Sequence, residues 1–506
     1  MRLPLAADLH INQFAGAGIT ERESGIINGV VEKRGNTAYV TQRPSIDVFD
    51  DASTNVSDAR GRAIYHWAEA DDLYLLNNDT IYKNSHGTIV STTPTAGMKK
   101  CKFVEIGGVL VLLDSENNQG FQITTGDVVT EITDVDFPPK QTPAIPLAHG
   151  GAVLDGYLFV LGTNGYIYNS GLGDPTTWAA LDFLEAERDP DGGQYLGKHH
   201  DNVVAYGVKT IEFFYDAANA TGSPLTRRQD VSHQIGCANG ESVWEEGDRS
   251  FFLGNDFSGA LHVYTLENFQ VRPVSTSTVD SFLNQAIVKD GYTATGSGFT
   301  AQGHTYYILS LYLTPSDIEI AISIVYDATT GLWGEWRTTV NGLTKFPLMD
   351  WSTRNGTTAR YGEGILANGD MITINDNMSP QDTLLASTYV TTGYVAAGYV
   401  LIAGETGTPI SLSIRLGQTD FGLSNIKTAA SARAVHNKTV ATQTLTLKTA
   451  KENNSSFSSG VTTDTSKRQK FTRLGSFERI NLDLTYAGTE AIRLEALDFD
   501  VKGGRS

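Results

Sequence analysis

Cysteine is nearly missing from this chain: two in 506 residues, Cys101 and Cys237. They stand far apart, so they offer neither a disulfide framework nor the close Cys/His spacing of a metal site. Both lie among apolar residues, as buried thiols do. No apolar run approaches the roughly 18 residues that read as a membrane-spanning helix, so no membrane insertion is expected. The opening "MRLPLAADLHINQFAG" lacks the apolar core of about 7–15 residues that marks a secretory leader. These absences imply a chain made, and kept soluble, in a reducing cytoplasm.

Basic charge is also scarce. Lys and Arg number 38 against 57 Asp and Glu, a net charge of −19. Tight nucleic-acid binding rests on cations that displace phosphate counterions, and this balance argues against it. The sequence carries no G-x-S-x-G elbow, Walker loop, H-E-x-x-H helix or C-x-x-C pair. No catalytic, cofactor-binding or metal-ligating residue is therefore assigned, and neither a cofactor nor a small-molecule substrate is expected.

What the chain does have is glycine, 51 residues, above the usual ~7%, and a repeated hairpin texture. Short apolar strands alternate with Asn, Asp and Gly turns. Hairpins begin at Leu73, Val109, Tyr157, Val203, Phe251 and Tyr306, with a weaker one from Tyr361, at spacings of 36 to 55 residues. Propeller blades repeat at about 40–50 residues. A lone hairpin cannot bury both faces, and packing blades around an axis solves that problem. The fold class is all-β: a β-propeller of six or seven blades over residues 45–378, with a β-sandwich pair as the alternative for this region. Residues 1–44 read as an arm that docks on a neighbour or a strand that pairs with a distant sheet. Residues 379–506 alternate apolar and polar positions, the mark of half-buried antiparallel strands, and read as a small appended β-sandwich-like domain.

Candidate chemistry is thin. "SGLGDPTTW" (Ser170 to Trp178) resembles the Asp-box turn of sialidase propellers, a structural corner. Asp189 and Asp191 in "DPDGG" are too few for a calcium loop, which needs five or more oxygen ligands. Asp134 and Asp136 share a strand face and read as a solvated strand end. His199 and His200, if in a strand, point to opposite faces and cannot jointly hold a metal. His304 reads as a core or turn residue. Trp333 and Trp336 sit at a blade end, as core or as a sugar platform. One stretch departs from the overall acidity: residues 427–479 hold ten Lys and Arg against three Asp and Glu. Within it, Lys467, Arg468, Lys470 and Arg473 are the candidate contact with an acidic partner.

Several segments carry a family resemblance: "DGYLFVLG" (Asp155 to Gly162), "DPTTWAALDFLEAERDPD" (Asp174 to Asp191), "GVKTIEFFYD" (Gly207 to Asp216), "QIGCANGESV" (Gln234 to Val243), "FFLGND" (Phe251 to Asp256), "VRPVST" (Val271 to Thr276), "GHTYYIL" (Gly303 to Leu309) and "VYDATTGLWGEWRT" (Val325 to Thr338). Together, in this order over about residues 45 to 345, they resemble the packaged-DNA stabilisation family, the tail nozzle proteins of short-tailed phages. The resemblance implies a propeller in a homo-hexameric ring below the portal and its adaptor protein. Such a ring continues the DNA channel, retains the packaged genome and docks a tail plug or needle and fibres or spikes. It implies a virion-tail protein assembled in the host cytoplasm, with double-stranded DNA passing through the lumen without tight binding. Six chains at −19 sum to about −114, a charge that repels a duplex rather than gripping it. "RPS" (Arg43 to Ser45) stands where the family tends to have a Pro-Gly turn, and the C-terminal stretch carries no family signature. A propeller polysaccharide-binding adhesin and a glycosidase are the alternative readings.

Overall fold

The computed structural model describes residues 2–5, 25–34, 37–50, 59–83, 87–88, 92–186, 191–219, 221–313, 322–340, 343, 345–355, 360–374, 380–384, 407–421, 426–451, 457–467 and 469–503. Among them, eight sheets account for nearly all regular structure, and seven of these are the blades of a propeller. Blade 1 is built from Gly61–Trp67, Asp72–Asn77, Thr80–Lys83 and Gly87–Thr88, and blade 2 from Lys102–Ile106, Val109–Asp114, Gln119–Ile123 and Val129–Glu131. Blade 3 follows with Ala152–Leu154, Tyr157–Leu161, Tyr166–Gly171 and Asp174–Glu185, and blade 4 with Gly193–His199, Asn202–Gly207, Ile211–Asp216 and Leu225–His233. Blade 5 comprises Trp244–Glu246, Arg249–Asn255, Leu261–Glu267 and Gln270–Pro273, and blade 6 Thr293–Ala301, His304–Tyr312, Ile322–Asp327 and Leu332–Glu335. Blade 7 holds Leu348–Asn355, Arg360–Leu366 and Met371–Ile374.

Alternation along the strands makes this a ring. Successive side chains point to opposite faces of a sheet, so each blade's apolar residues divide between two neighbours. In blade 2, Leu110 and Leu112 pack against blade 1, while Val111 and Leu113 pack against blade 3. In blade 5, Phe252 joins Tyr206 and Phe213 of blade 4, whereas Phe251 and Leu253 face Tyr307 and Leu309 of blade 6. Six such clusters run in sequence, and a seventh joins Met349, Ile365 and Met371 of blade 7 to Ile64, Leu73 and Leu75 of blade 1. The circle is closed.

The closure is also wired through the backbone. Ile46–Asp50 returns from the N-terminal side and pairs antiparallel with Met371–Ile374 as the outer strand of blade 7, so one blade is assembled from both ends of the propeller sequence. Beyond it, Gln381–Leu384 adds in parallel to Ile46–Asp50.

The three-part division read from the sequence meets a different wiring at its edges. Gly25–Ile27 pairs in parallel with blade 6 at Glu335 and antiparallel with Leu412–Thr419, so the sheet of blade 6 runs on into the C-terminal strands Ile480–Tyr486, Thr444–Lys451 and Val461–Asp464. The hairpin of Gly29–Arg34 and Thr37–Gln42 joins Leu494–Gly503 through Val40 and Leu494, and Arg2–Pro4 also pairs with that strand. Leu5, Val31, Val40, Leu412, Phe471, Leu484 and Leu497 share one core between the two sheets. The sandwich is thus made from both ends of the chain and fused to blade 6.

One knot fixes this junction. The guanidinium of Arg43, fully buried, donates to both carboxylate oxygens of Asp382, to the carbonyls of Pro44 and Arg337, and to Asn28, with the Phe346 ring 5.0 Å below. A bidentate buried Arg–carboxylate pair with its remaining donors satisfied is the geometry in which such a pair holds its place.

Candidate functional site at the propeller axis

In a propeller the inner strands converge on the axis, and chemistry, where there is any, collects there. Here three cations leave one segment entering blade 2 and reach across. Lys100 lies 3.2 Å from Asp350 of blade 7 and donates to the Gly296 carbonyl of blade 6 at 3.1 Å. Lys102 donates to Glu245 of blade 5 at 3.0 Å, and the same carboxylate accepts from Tyr195 of blade 4 at 2.9 Å. Lys99 stands 3.7 Å from Glu241, which also accepts from Tyr312 of blade 6 at 3.2 Å. To one side, the wholly buried Arg62 of blade 1 meets Asp114 and Glu116 of blade 2 at 2.8 and 3.3 Å. The axis is laced shut by ion pairs between blades.

The electrostatics follow from burial. Burial opposes the charge of Lys102, but Tyr195, Glu245 and Asp350 outweigh it and hold the ammonium charged. Burial raises the Glu241 carboxyl, with Lys99 pulling the other way. Burial, helped by the cations of Lys99 and Lys100, pushes His149 down to about 3. Ser115 Oγ lies 2.7 Å from His149 Nδ1, and His149 Nε2 lies 3.8 Å from Glu241, a Ser–His–Glu row that invites a catalytic reading. A histidine this reluctant to take a proton is a weak general base. The cavity beside it is about 90 Å³, well under the ~300 Å³ of small ligand sites and enough for about three waters. This arrangement holds blades together.

Close packing supports the same view. A Cβ added at Gly296 would stand 1.9 Å from the carbonyl of Ser242, in the 3-10 turn Gly240–Ser242 that leads into blade 5, so only glycine lets the inner strand of blade 6 approach that turn so closely.

The residues singled out from the sequence fall elsewhere. Asp174 caps its turn by accepting from Thr176, and Trp178 is buried between blades 2 and 3, its indole donating to Pro175. The same Asp-x-Ser/Thr cap recurs at Asp256, Asp327 and Asp464, without the rest of an Asp box around it. Asp134 accepts from the backbone of Asp136 and Trp178. Asp191 accepts from the backbone of Lys209 and Thr210; Asp189 lies outside the described residues.

His199 and His200 do not face apart, which corrects the strand-based expectation. His200 sits in the turn at φ +50°, bringing the two rings to 4.5 Å. His199 Nε2 accepts from Phe269 N, and His200 pairs with Asp248 at 3.2 Å. His304 bridges Asp327 at 2.8 Å and Glu32 at 3.3 Å. Trp333 and Trp336 are each 1% exposed and serve as core rather than as a sugar platform. Lys467, Lys470 and Arg473 are exposed on the sandwich, Lys467 within 3.6 Å of Asp464; Arg468 lies outside the described residues.

A family profile described as "Bacteriophage P22 Gp10, beta-propeller" matches residues 26–356, about two-thirds of the chain, running from the strand beside blade 6 through the first strand of blade 7. The chain belongs to this family. Its curated relative, the tail hub protein gp10 of Salmonella phage P22, is 27% identical over 161 residues, which cover 31% of this chain and 32% of gp10. The chain thus matches about a third of that protein's length. Among solved structures, a streptogramin B lyase is similar with a TM-score of 0.42 and 10% identity, covering 65% of this chain and 97% of the lyase. The Pan2 WD40 domain of Neurospora crassa is similar with a TM-score of 0.37 and 10% identity, covering 62% and 88%.

Proposed function

We propose that this family member is a structural ring component of a phage tail, a nozzle or hub that continues the DNA channel below portal and adaptor. One observation carries the reading: cross-blade ion pairs span the propeller axis, and the cavity beside them is only about 90 Å³. A duplex, whose major groove alone is about 12 Å wide, cannot thread that axis. A conduit must therefore be enclosed by several copies standing side by side, and membership in a phage packaged-DNA stabilisation family points to DNA as what the ring encloses. The chain's −19 charge suits a wall that repels phosphate and lets the duplex move. In this reading six copies retain the genome and dock adaptor, plug or needle, and fibres or spikes, in a virion tail assembled in the host cytoplasm.

The exposed cations Lys467, Lys470 and Arg473, with Arg468, are assigned to a contact with an acidic partner. Electron-microscopy class averages of the purified protein, alone and with its portal–adaptor assembly, test the ring. Sixfold rings with an open centre support it. Isolated single propellers in the presence of that assembly overturn it.

A further inference from the structure

Two residues in the left-handed region stand together at the tip of a blade 5 hairpin. Asn268 and Phe269 join Leu261–Glu267 to Gln270–Pro273 as a two-residue turn, with φ +50° and +58°. Such turns favour Asn followed by Gly, because both central positions need positive φ. Asn268 suits its place. A phenylalanine at positive φ does not, and a conformation like that persists only where its surroundings hold it.

What holds Phe269 comes from blade 4. His199, the last residue of Gly193–His199 and 2% exposed, accepts the Phe269 N–H at Nε2, 3.1 Å away. His233, the last residue of Leu225–His233, donates from Nε2 to the Phe269 carbonyl at 2.9 Å. Both main-chain polar groups of one residue are thus gripped by imidazoles of the neighbouring blade. The ring is boxed as well. His199, His200 and Phe213 lie 4.8, 5.3 and 5.4 Å from it, centroid to centroid, and the Arg228 guanidinium stands 4.7 Å over its face.

The two imidazoles are chemically unlike. A donating Nε2 keeps its proton whether the ring is neutral or charged, so the His233 bond survives acid. An accepting Nε2 must be bare, so His199 has to be neutral, with its proton on Nδ1. A proton added to that nitrogen sets N–H against N–H.

We propose that His199 is the catch of an acid-sensitive latch: neutral, it pins the Asn268–Phe269 turn to blade 4, and protonation at Nε2 frees the turn and lets its backbone relax. The setting favours the closed form near neutrality. Burial first, then the neighbouring His200, push the His199 pKa down, while Asp248 and Glu245 of blade 5 pull it up. The other charges around the turn are matched within pairs: His200 with Asp248 at 3.2 Å, Arg228 with Asp230 at 2.6 Å, and Arg249 with Glu267. A folded-state pKa below the unfolded value means that the latch contributes in full above about pH 6.5 and is lost as pH falls through the folded value. The proposal does not depend on the ring reading.

Amide hydrogen exchange of the whole chain tests it. Protection of the peptide covering residues 265–272, corrected for the intrinsic pH dependence of exchange, should fall about fivefold or more between about pH 7.5 and about pH 4.5. The strand Arg249–Asn255 of the same blade should keep its protection over that range. His199→Gln keeps an acceptor that takes no proton, so its turn should exchange at one pH-independent level, whether protected or not. His233→Gln keeps a donor and should retain the wild-type fall. Unchanged protection in the wild type, a fall shared by Arg249–Asn255, or a pH response that survives in His199→Gln overturns the latch. A turn that stays protected in acid in His233→Gln puts the sensing proton on His233 and overturns it too. The wild-type comparison decides on its own if either variant fails to fold.

Discussion

The propeller and the sandwich are built from similar strands but are wired in opposite ways. Six of the seven blades take their antiparallel strands from consecutive sequence, and each blade packs on the one before and the one after. The sandwich draws residues 2–42 and 408–503 into one core. Local order makes the propeller a chain of nearest-neighbour contacts. The sandwich depends on partners more than 300 residues apart, such as Val40 with Leu494. The lesson is that the least conspicuous part of the sequence, its opening 42 residues, holds the two regions together.

The most severe way to break that comparison is to remove residues 1–42. A docking arm could be lost with the fold intact. Here the deletion takes away the strand between blade 6 and Leu412–Thr419 and the Asn28 partner of Arg43. The sandwich is expected to unfold, with rapid proteolysis confined to residues beyond 407; a sandwich that stays protease-resistant would show that the N-terminal strands are decoration.

Next in size is Asp114→Ala inside the propeller. It removes the nearer of the two carboxylates that face the Arg62 guanidinium, 0% exposed, and leaves Glu116 at 3.3 Å, so the loss is expected at the lower end of the about 3–5 kcal/mol of a broken buried pair. Denaturant unfolding should show the loss in the propeller. A change below about 1 kcal/mol, within the range of surface substitutions and weak exposed pairs, would mean that the Arg62–Asp114 pair between blades 1 and 2 is not structural. Gly296→Ala follows: its Cβ meets the Ser242 carbonyl at 1.9 Å, and overpacking costs about 1–3 kcal/mol. Thermal melts check it, and a neutral result would show that the Gly240–Ser242 turn can move away from blade 6.

How much of this was legible in the sequence follows the same division. The hairpins at Leu73, Val109, Tyr157, Val203, Phe251 and Tyr306 become middle strands of blades because strand, turn and strand lie within a few residues of one another. Residues 427–436, "KTAASARAVH", become a long strand of the sandwich, yet their four alanines give no strong β signal. Within that alternating C-terminal stretch, one strand ends at Phe477 and the next begins at Ile480, a break no residue pattern announces. The polar axis was invisible for another reason. Lys100 and Asp350, or Lys102 and Glu245, are paired only by ring closure, and nothing local to either residue announces the partner.

The gentlest test concerns the seam itself. His304 of blade 6 lies between Asp327 of the same blade and Glu32 of the N-terminal hairpin, its ring stacked on Tyr306. The hydrogen bond to Asp327 raises the imidazole pKa against the opposing effect of burial, and Glu32 adds to the rise. A folded-state pKa above the unfolded value means stabilisation that is full below about pH 6.5 and is lost as pH rises through the folded value. Asp327 sets the lower end: burial alone would raise its carboxyl, but His304 and Thr330 hold it down, so its share is present above about pH 3.9 and is lost in stronger acid. Melting temperature should therefore decline from near neutrality toward alkaline pH, by less than any of the substitutions above. His304→Gln should flatten that slope and lower the neutral-pH melting temperature. If the variant melts with the wild-type pH slope, proton binding at the seam between propeller and sandwich contributes nothing to joining them.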